Sequence, residues 1–266
     1  MKNILLLAHD DLGQEARFQA ALDVCRAVDG HLTCLDVAVP MLIADDSFGS
    51  VATAALLSDE VKREQLNRAK MEARLNHEDV SWTWIDSTGQ LAPTLRRHAT
   101  LADVIVVSRE LDDFPLPDME AVAADVIVRS GKPVLAVPEH HERLDLSVAL
   151  VAWDGSSAAA GALRAAIPLL RLAERVIVVE VDGKSHDTPG EDVAIYLSRH
   201  GIHARVEWVQ ALDAGVARTI LDAAARHHAG YIVMGGFGHS RLREALFGGV
   251  TREMMSSSSR PLFLAH

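Results

Sequence analysis

The chain has 266 residues, of which 49% are apolar and 24% charged, enough for one large or two ordinary globular domains. A formal net charge of −11 and only 5% aromatic residues argue against a nucleic-acid or anionic-membrane surface, which needs a strong basic patch or a stacking platform, but not against a small local anion site. Two cysteines, Cys25 and Cys34, make neither a disulfide framework nor a metal cluster and read as buried thiols of a reducing, cytoplasmic compartment.

The first apolar run, near 3–8, is too short for a signal peptide and is followed by Asp10 and Asp11; no run reaches the length of a membrane span. A helix is expected over Gln14–Val28, then a strand near 31–37. Residues 46–77 form an insertion, whose part 58–77 reads as a charged amphipathic helix with an apolar stripe of Val61, Leu66, Met71 and Leu75. It is an ordinary cover helix, a lid or a dimer contact. Strands are expected near 80–86, 102–108 and 133–137, the last opened by Pro133.

The pattern then repeats. "NILLLAHDDLGQEARFQAALDVCRAVDGHLTCLDV" (3–37) matches "SVALVAWDGSSAAAGALRAAIPLLRLAERVIVVEV" (147–181), which sets Asp10 opposite Asp154. Further strands are expected near 147–153, 175–181, 204–210, 230–235 and 261–265, with helices over Ala158–Leu172 and Ala214–His228. The strand runs are apolar throughout, as in parallel strands covered on both faces. The fold class is therefore α/β, with two tandem doubly wound domains, residues 1–142 and 143–266, joined near the polar segment 139–146. Ligands of such sheets bind beyond the carboxyl ends of the strands, at the switch point.

That edge carries the one glycine-rich stretch, "MGGFGHSRLREALFGGVTREM" (234–254). Gly235, Gly238, Gly248 and Gly249 let backbone N–H groups approach a phosphate chain, and a helix from about Val250 to Ser257 offers its N-terminus. His239, Arg241 and Arg243 add cationic character. The stretch suits a nucleotide triphosphate, although a tight loop without ligand has the same composition. It is neither a Walker loop nor the Rossmann fingerprint.

The spacing G-x2-G-x9-G after a fourth strand, closed by a helix and a Pro-led fifth strand, resembles the universal stress protein family, as does "VAWDGSSAAAGAL" (151–163). Both halves carry the resemblance, so the chain is similar to a tandem member. The resemblance implies five-stranded parallel sheets that pair through their last strands, and an adenine nucleotide: ATP, ADP or AMP, with or without magnesium. It places Asp154 at the adenine and ribose end, backbone near Val181 at the adenine rim, and Gly235 at the ribose. It assigns Gly238, His239, Gly248, Gly249 and Val250 to the phosphates. Where the family has Ser or Thr after its third glycine, this chain has Gly249. One lost hydrogen bond to a charged group costs about 1.5–3 kcal/mol.

The matching stretch of the first half, 108–133, has no glycine before Gly131 and carries Glu110, Asp112, Asp113, Asp118 and Glu120 with Pro115 and Pro117. It should repel a triphosphate, so this half is expected to be a structural or docking unit. With His9 the acidic cluster could also hold a metal, though a solvated acidic loop reads the same. No catalytic arrangement emerges. The expected role is a nucleotide-binding stress or signalling module with a protein partner, alone or as a homodimer. The alternative is an interaction scaffold without nucleotide. An ATP-pyrophosphatase reading lacks its SGGxDS-type loop at 153–161.

Overall fold

The computed structural model describes residues 1–39, 49–109, 119–182, 188–211, 213–237 and 249–266. In chain order they form β1 (Asn3–Leu7), α1 (Gln14–Val28), β2 (His31–Ala38), α2 (Gly49–Leu75), β3 (Ser81–Thr88), α3 (Leu91–His98), β4 (Val104–Ser108), α4 (Met119–Ser130) and β5 (Val134–Val137). The same series recurs as β6 (Val148–Trp153), α5 (Ser157–Leu170), β7 (Arg175–Val181), α6 (Gly190–Ser198), β8 (Ala204–Val209), α7 (Val216–Arg226), β9 (Tyr231–Gly235), α8 (Gly249–Ser257) and β10 (Leu262–Ala265).

All ten strands belong to one sheet, ordered β3-β2-β1-β4-β5-β10-β9-β6-β7-β8. Pairing is parallel within each half. The halves meet where β5 and β10 run antiparallel, with Phe263 opposite Leu135. The expected pairing of last strands therefore occurs inside the chain. Helices α1, α2, α5 and α6 bury their apolar residues against one face, and α3, α4, α7 and α8 against the other. Strands covered on both faces are apolar throughout for this reason.

Two expectations need correction. The outermost strands β3 and β8 alternate between exposed and part-buried positions, because an edge strand is not fully covered; Trp208 on β8 is 57% exposed. In α2, Met71 and Leu75 are buried but Leu66 is 75% exposed. The inward stripe instead continues from Met71 through Asn67, four residues back, and Glu64, three further, so polar side chains occupy core positions that an apolar reading passes over. Asn67 exchanges two hydrogen bonds with Gln14 of α1, at 2.8 and 2.9 Å. That pair and the Arg74–Glu15 ion pair fix α2 as a cover helix on α1. Cys25 and Cys34 are buried free thiols, and desolvation pushes both up to about 12, far from a reactive thiolate.

Candidate functional site

In each half the chain reverses direction beside the first strand: β1 lies between β2 and β4, and β6 between β7 and β9. The carboxyl ends of these strands form the crevice where ligands of doubly wound sheets bind.

In the second half, Asp154, Val181 and Gly235 stand together at this edge, at the ends of the adjacent strands β6, β7 and β9. Asp154 is exposed; one carboxylate oxygen accepts the N–H of Ser156 at 3.0 Å. Ser156 in turn caps α5 by accepting the N–H of Ala159 at 3.1 Å. Val181 is half-buried. Gly235 has a reason that the sequence did not reveal. A Cβ there would lie 2.6 Å from the backbone N of Ala159, so its lack of a side chain lets the start of α5 close onto the sheet. Two non-glycine residues at this edge take left-handed backbone, Asp182 (φ 65) after β7 and Phe237 (φ 60) after β9, a strain typical of functional loops.

Gly249 and Val250 open α8, one residue earlier than expected. No described residue stands within 4 Å of a Cβ placed on Gly249. Gly238, His239 and Gly248 lie outside the described residues, as do Arg241 and Arg243. Beside Asp154 a cavity of about 310 Å³ opens between α5 and α6, walled by Trp153, Leu163 and Tyr196 and rimmed by Ser156 and Thr188.

The first-half crevice is different. Arg17 of α1, with no exposed surface, crosses it. Its Nε donates to the Leu7 carbonyl at 2.6 Å, Nη1 to Asp11 Oδ1 at 2.7 Å and Ser108 Oγ at 2.6 Å, and Nη2 to the His9 carbonyl. It thereby ties the ends of β1 and β4 together. In the repeat, the positions of Asp11, Arg17 and Ser108 are held by Gly155, Gly161 and Gly235. A guanidinium, a carboxylate and a hydroxyl fill one crevice, and no side chain stands at those positions in the other. Gly161 instead lets α5 approach the carbonyl of His266, 2.8 Å from where its Cβ would be.

Asp10 is part-buried at the end of β1. His9 does not join the acidic loop as a described contact; its Nδ1 lies 2.8 Å from Glu64 of α2, and both side chains are buried. Glu110, Asp112, Asp113, Asp118, Pro115 and Pro117 lie outside the described residues. Among the described residues no cluster of His, Cys, Asp and Glu is disposed to hold a metal. Arg17 was missed because an arginine in an Ala-rich helix reads as a surface residue. The available signal was its alignment with Gly161.

No family model matches the chain, and no curated protein matches it. Solved structures do match over its whole length. A universal stress protein from Archaeoglobus fulgidus is 18% identical with a TM-score of 0.75, covering 100% of this chain and 98% of its own. A candidate universal stress protein from Pseudomonas aeruginosa is 16% identical with a TM-score of 0.60, covering 100% and 93%. A protein of unknown function from the same species is 17% identical with a TM-score of 0.60, covering 100% and 92%. The chain shares the fold of these proteins. No described helix is long and apolar enough to cross a membrane.

Proposed function

We propose that the chain is a tandem universal stress protein, with units at residues 1–142 and 143–266, whose second unit binds an adenine nucleotide. The contrast between the two crevices carries this reading: three polar side chains close the first edge, and glycines stand at the same positions in the second. Without that plug the strand ends of the second crevice carry no side chains at these positions, while Gly161 and Gly235 seat α5 against the sheet. The start of α8 supplies free N–H groups and a partial positive charge for phosphate. The cavity walled by Trp153 and Tyr196 has room for a planar base. Asp154 and Val181 would hold the adenosine, and Gly238, His239, Gly248, Gly249 and Val250 the phosphates. We read the protein as a binding module of stress response or signalling and not an enzyme.

Calorimetric titration of the whole chain with ATP, ADP and AMP tests this. Binding is expected, and Gly238→Val should abolish it. Gly249→Ser meets no described atom at its Cβ and should tighten a phosphate-bearing ligand about tenfold or more, the worth of one charge-assisted hydrogen bond. Binding that is absent, or indifferent to Gly238→Val, would overturn the assignment and leave the interaction scaffold.

A further inference from the structure

The sheet ends at β3 on one side and at β8 on the other; β8 pairs with β7 and with no further described strand. An open edge is a template for another strand unless proline, a bulge or unmatched charge blocks it, and β8, Ala204–Val209, contains no proline. In a parallel ladder a residue points its N–H and C=O the same way, and successive residues alternate. The Val209 carbonyl accepts the N–H of Asp182 at 2.8 Å, so Arg205, Glu207 and Val209 turn their backbone groups toward β7. Ala204, Val206 and Trp208 therefore point theirs outward, along the edge.

The side chains alternate as well. Ala204 and Val206 pack on the face covered by α5 and α6, and Trp208 continues their row but is exposed. Val209 packs on the opposite face, which Arg205 and Glu207 share. Glu207 is held there by Arg226 of α7 at 2.9 Å and by His227 at 2.6 Å. Arg205 is exposed, and no described residue pairs with it. The edge thus presents one uncovered aromatic and one uncompensated cation.

A second copy of β8 answers both. Laid antiparallel about a two-fold axis at Val206, every outward residue meets an outward residue: Val206 its own copy, and Ala204 the Trp208 of the second chain. Directly opposed residues of this kind exchange both N–H···O bonds. The largest side chain of the strand then lies across from the smallest. On the other face Arg205 stands opposite Glu207 of the second copy, and symmetry repeats the pair. A carboxylate has about four acceptor sites, so Glu207 can take this donor beside Arg226 and His227. Moving the axis to Ala204 would set Arg205 opposite His203, and moving it to Trp208 would set Glu207 opposite Val209; only the Val206 register matches opposite charges. The other end of the sheet cannot do the same, since the one charged residue of β3 is Asp86, already paired with Arg68. We propose that two copies of the chain associate through β8, antiparallel about Val206. This surface is separate from the nucleotide site proposed above and stands or falls without it.

One strand per copy makes a small contact of the transient kind, so the test is sedimentation velocity of the full chain well above micromolar concentration. The wild type is expected to reach twice the mass of one chain. Arg205→Glu alters an exposed side chain and sets like charges opposite each other twice, which should weaken the dimer about tenfold or more. Glu207→Lys should do the same. Mixing these two variants creates a heterodimer in which both pairs are again opposite in charge, and association should return. That recovery cannot come from a chain that has lost its fold, and circular dichroism of each variant checks the fold directly. A monomeric wild type, a dimer that survives Arg205→Glu, or a mixture that stays monomeric would each overturn the proposal.

Discussion

A guanidinium with no exposed surface survives inside a protein only if its donors are met, and Arg17 meets two carbonyls, a carboxylate and a hydroxyl. Removing it would strand Asp11, whose second oxygen already lacks a partner, and the carbonyls of Leu7 and His9. Arg17→Met should therefore destabilise the protein by about 3–5 kcal/mol, the range for breaking a buried pair from one side. Urea denaturation measures this, and Arg17→Lys should restore only part, because an ammonium cannot reproduce the planar fork. A loss below about 1 kcal/mol would mean that the crevice relaxes without the plug. At this scale the sequence was legible where composition forces a conclusion. Gly235 ends an apolar strand before a turn, and its lack of a side chain marks a close backbone approach, met here by Ala159. The sequence was misleading where burial depends on a distant partner. Glu64 and Asn67 are buried because His9 and Gln14 receive them, contacts between residues 53 or more positions apart that no local pattern shows.

Among the elements, the ten strands were legible to within about two residues because each central strand is a short apolar run bounded by polar turns. The edge strands were found too, but their alternation follows from sheet order, which a local pattern does not state. The connection between the halves shows how tightly elements are fitted. The segment before β6 passes over the entry to β9, and Gly230 donates its N–H to the Val148 carbonyl at 2.8 Å. A Cβ on Gly230 would lie 1.9 Å from the carbonyl oxygen of Asp145, which is backbone and cannot rotate away. Gly230→Ala should thus cost about 3 kcal/mol or more, at or beyond the usual range for overpacking. Thermal unfolding checks this; a midpoint within a degree or two of the wild type would show that the segment shifts freely.

The whole molecule is closed by a single antiparallel seam. Leu262, Phe263 and Leu264 of β10 face Ala136, Leu135 and Val134 of β5, and every one of these side chains is buried. Arg109 adds a bond across the halves to the Met255 carbonyl, and Leu144 ties the connection to Asp23 of α1 at 2.9 Å. The seam relates two copies of one topology, strand order 3-2-1-4-5 meeting its repeat end to end. Antiparallel pairing of like strands has local two-fold symmetry, so each half presents the surface that the other needs. Cut free, residues 143–266 would carry β10 as a bare apolar edge strand, a template for pairing with another chain. The isolated second half should therefore assemble as a dimer through β10 at micromolar concentration, with Phe263 opposite its own copy's neighbourhood. Phe263→Lys should disrupt that dimer by placing a charge in the seam. Sedimentation of both fragments decides the matter. A stable, folded monomer of the unsubstituted fragment would show that each half covers its own last strand, and that the ten-stranded sheet is two domains placed side by side, not one interdependent core.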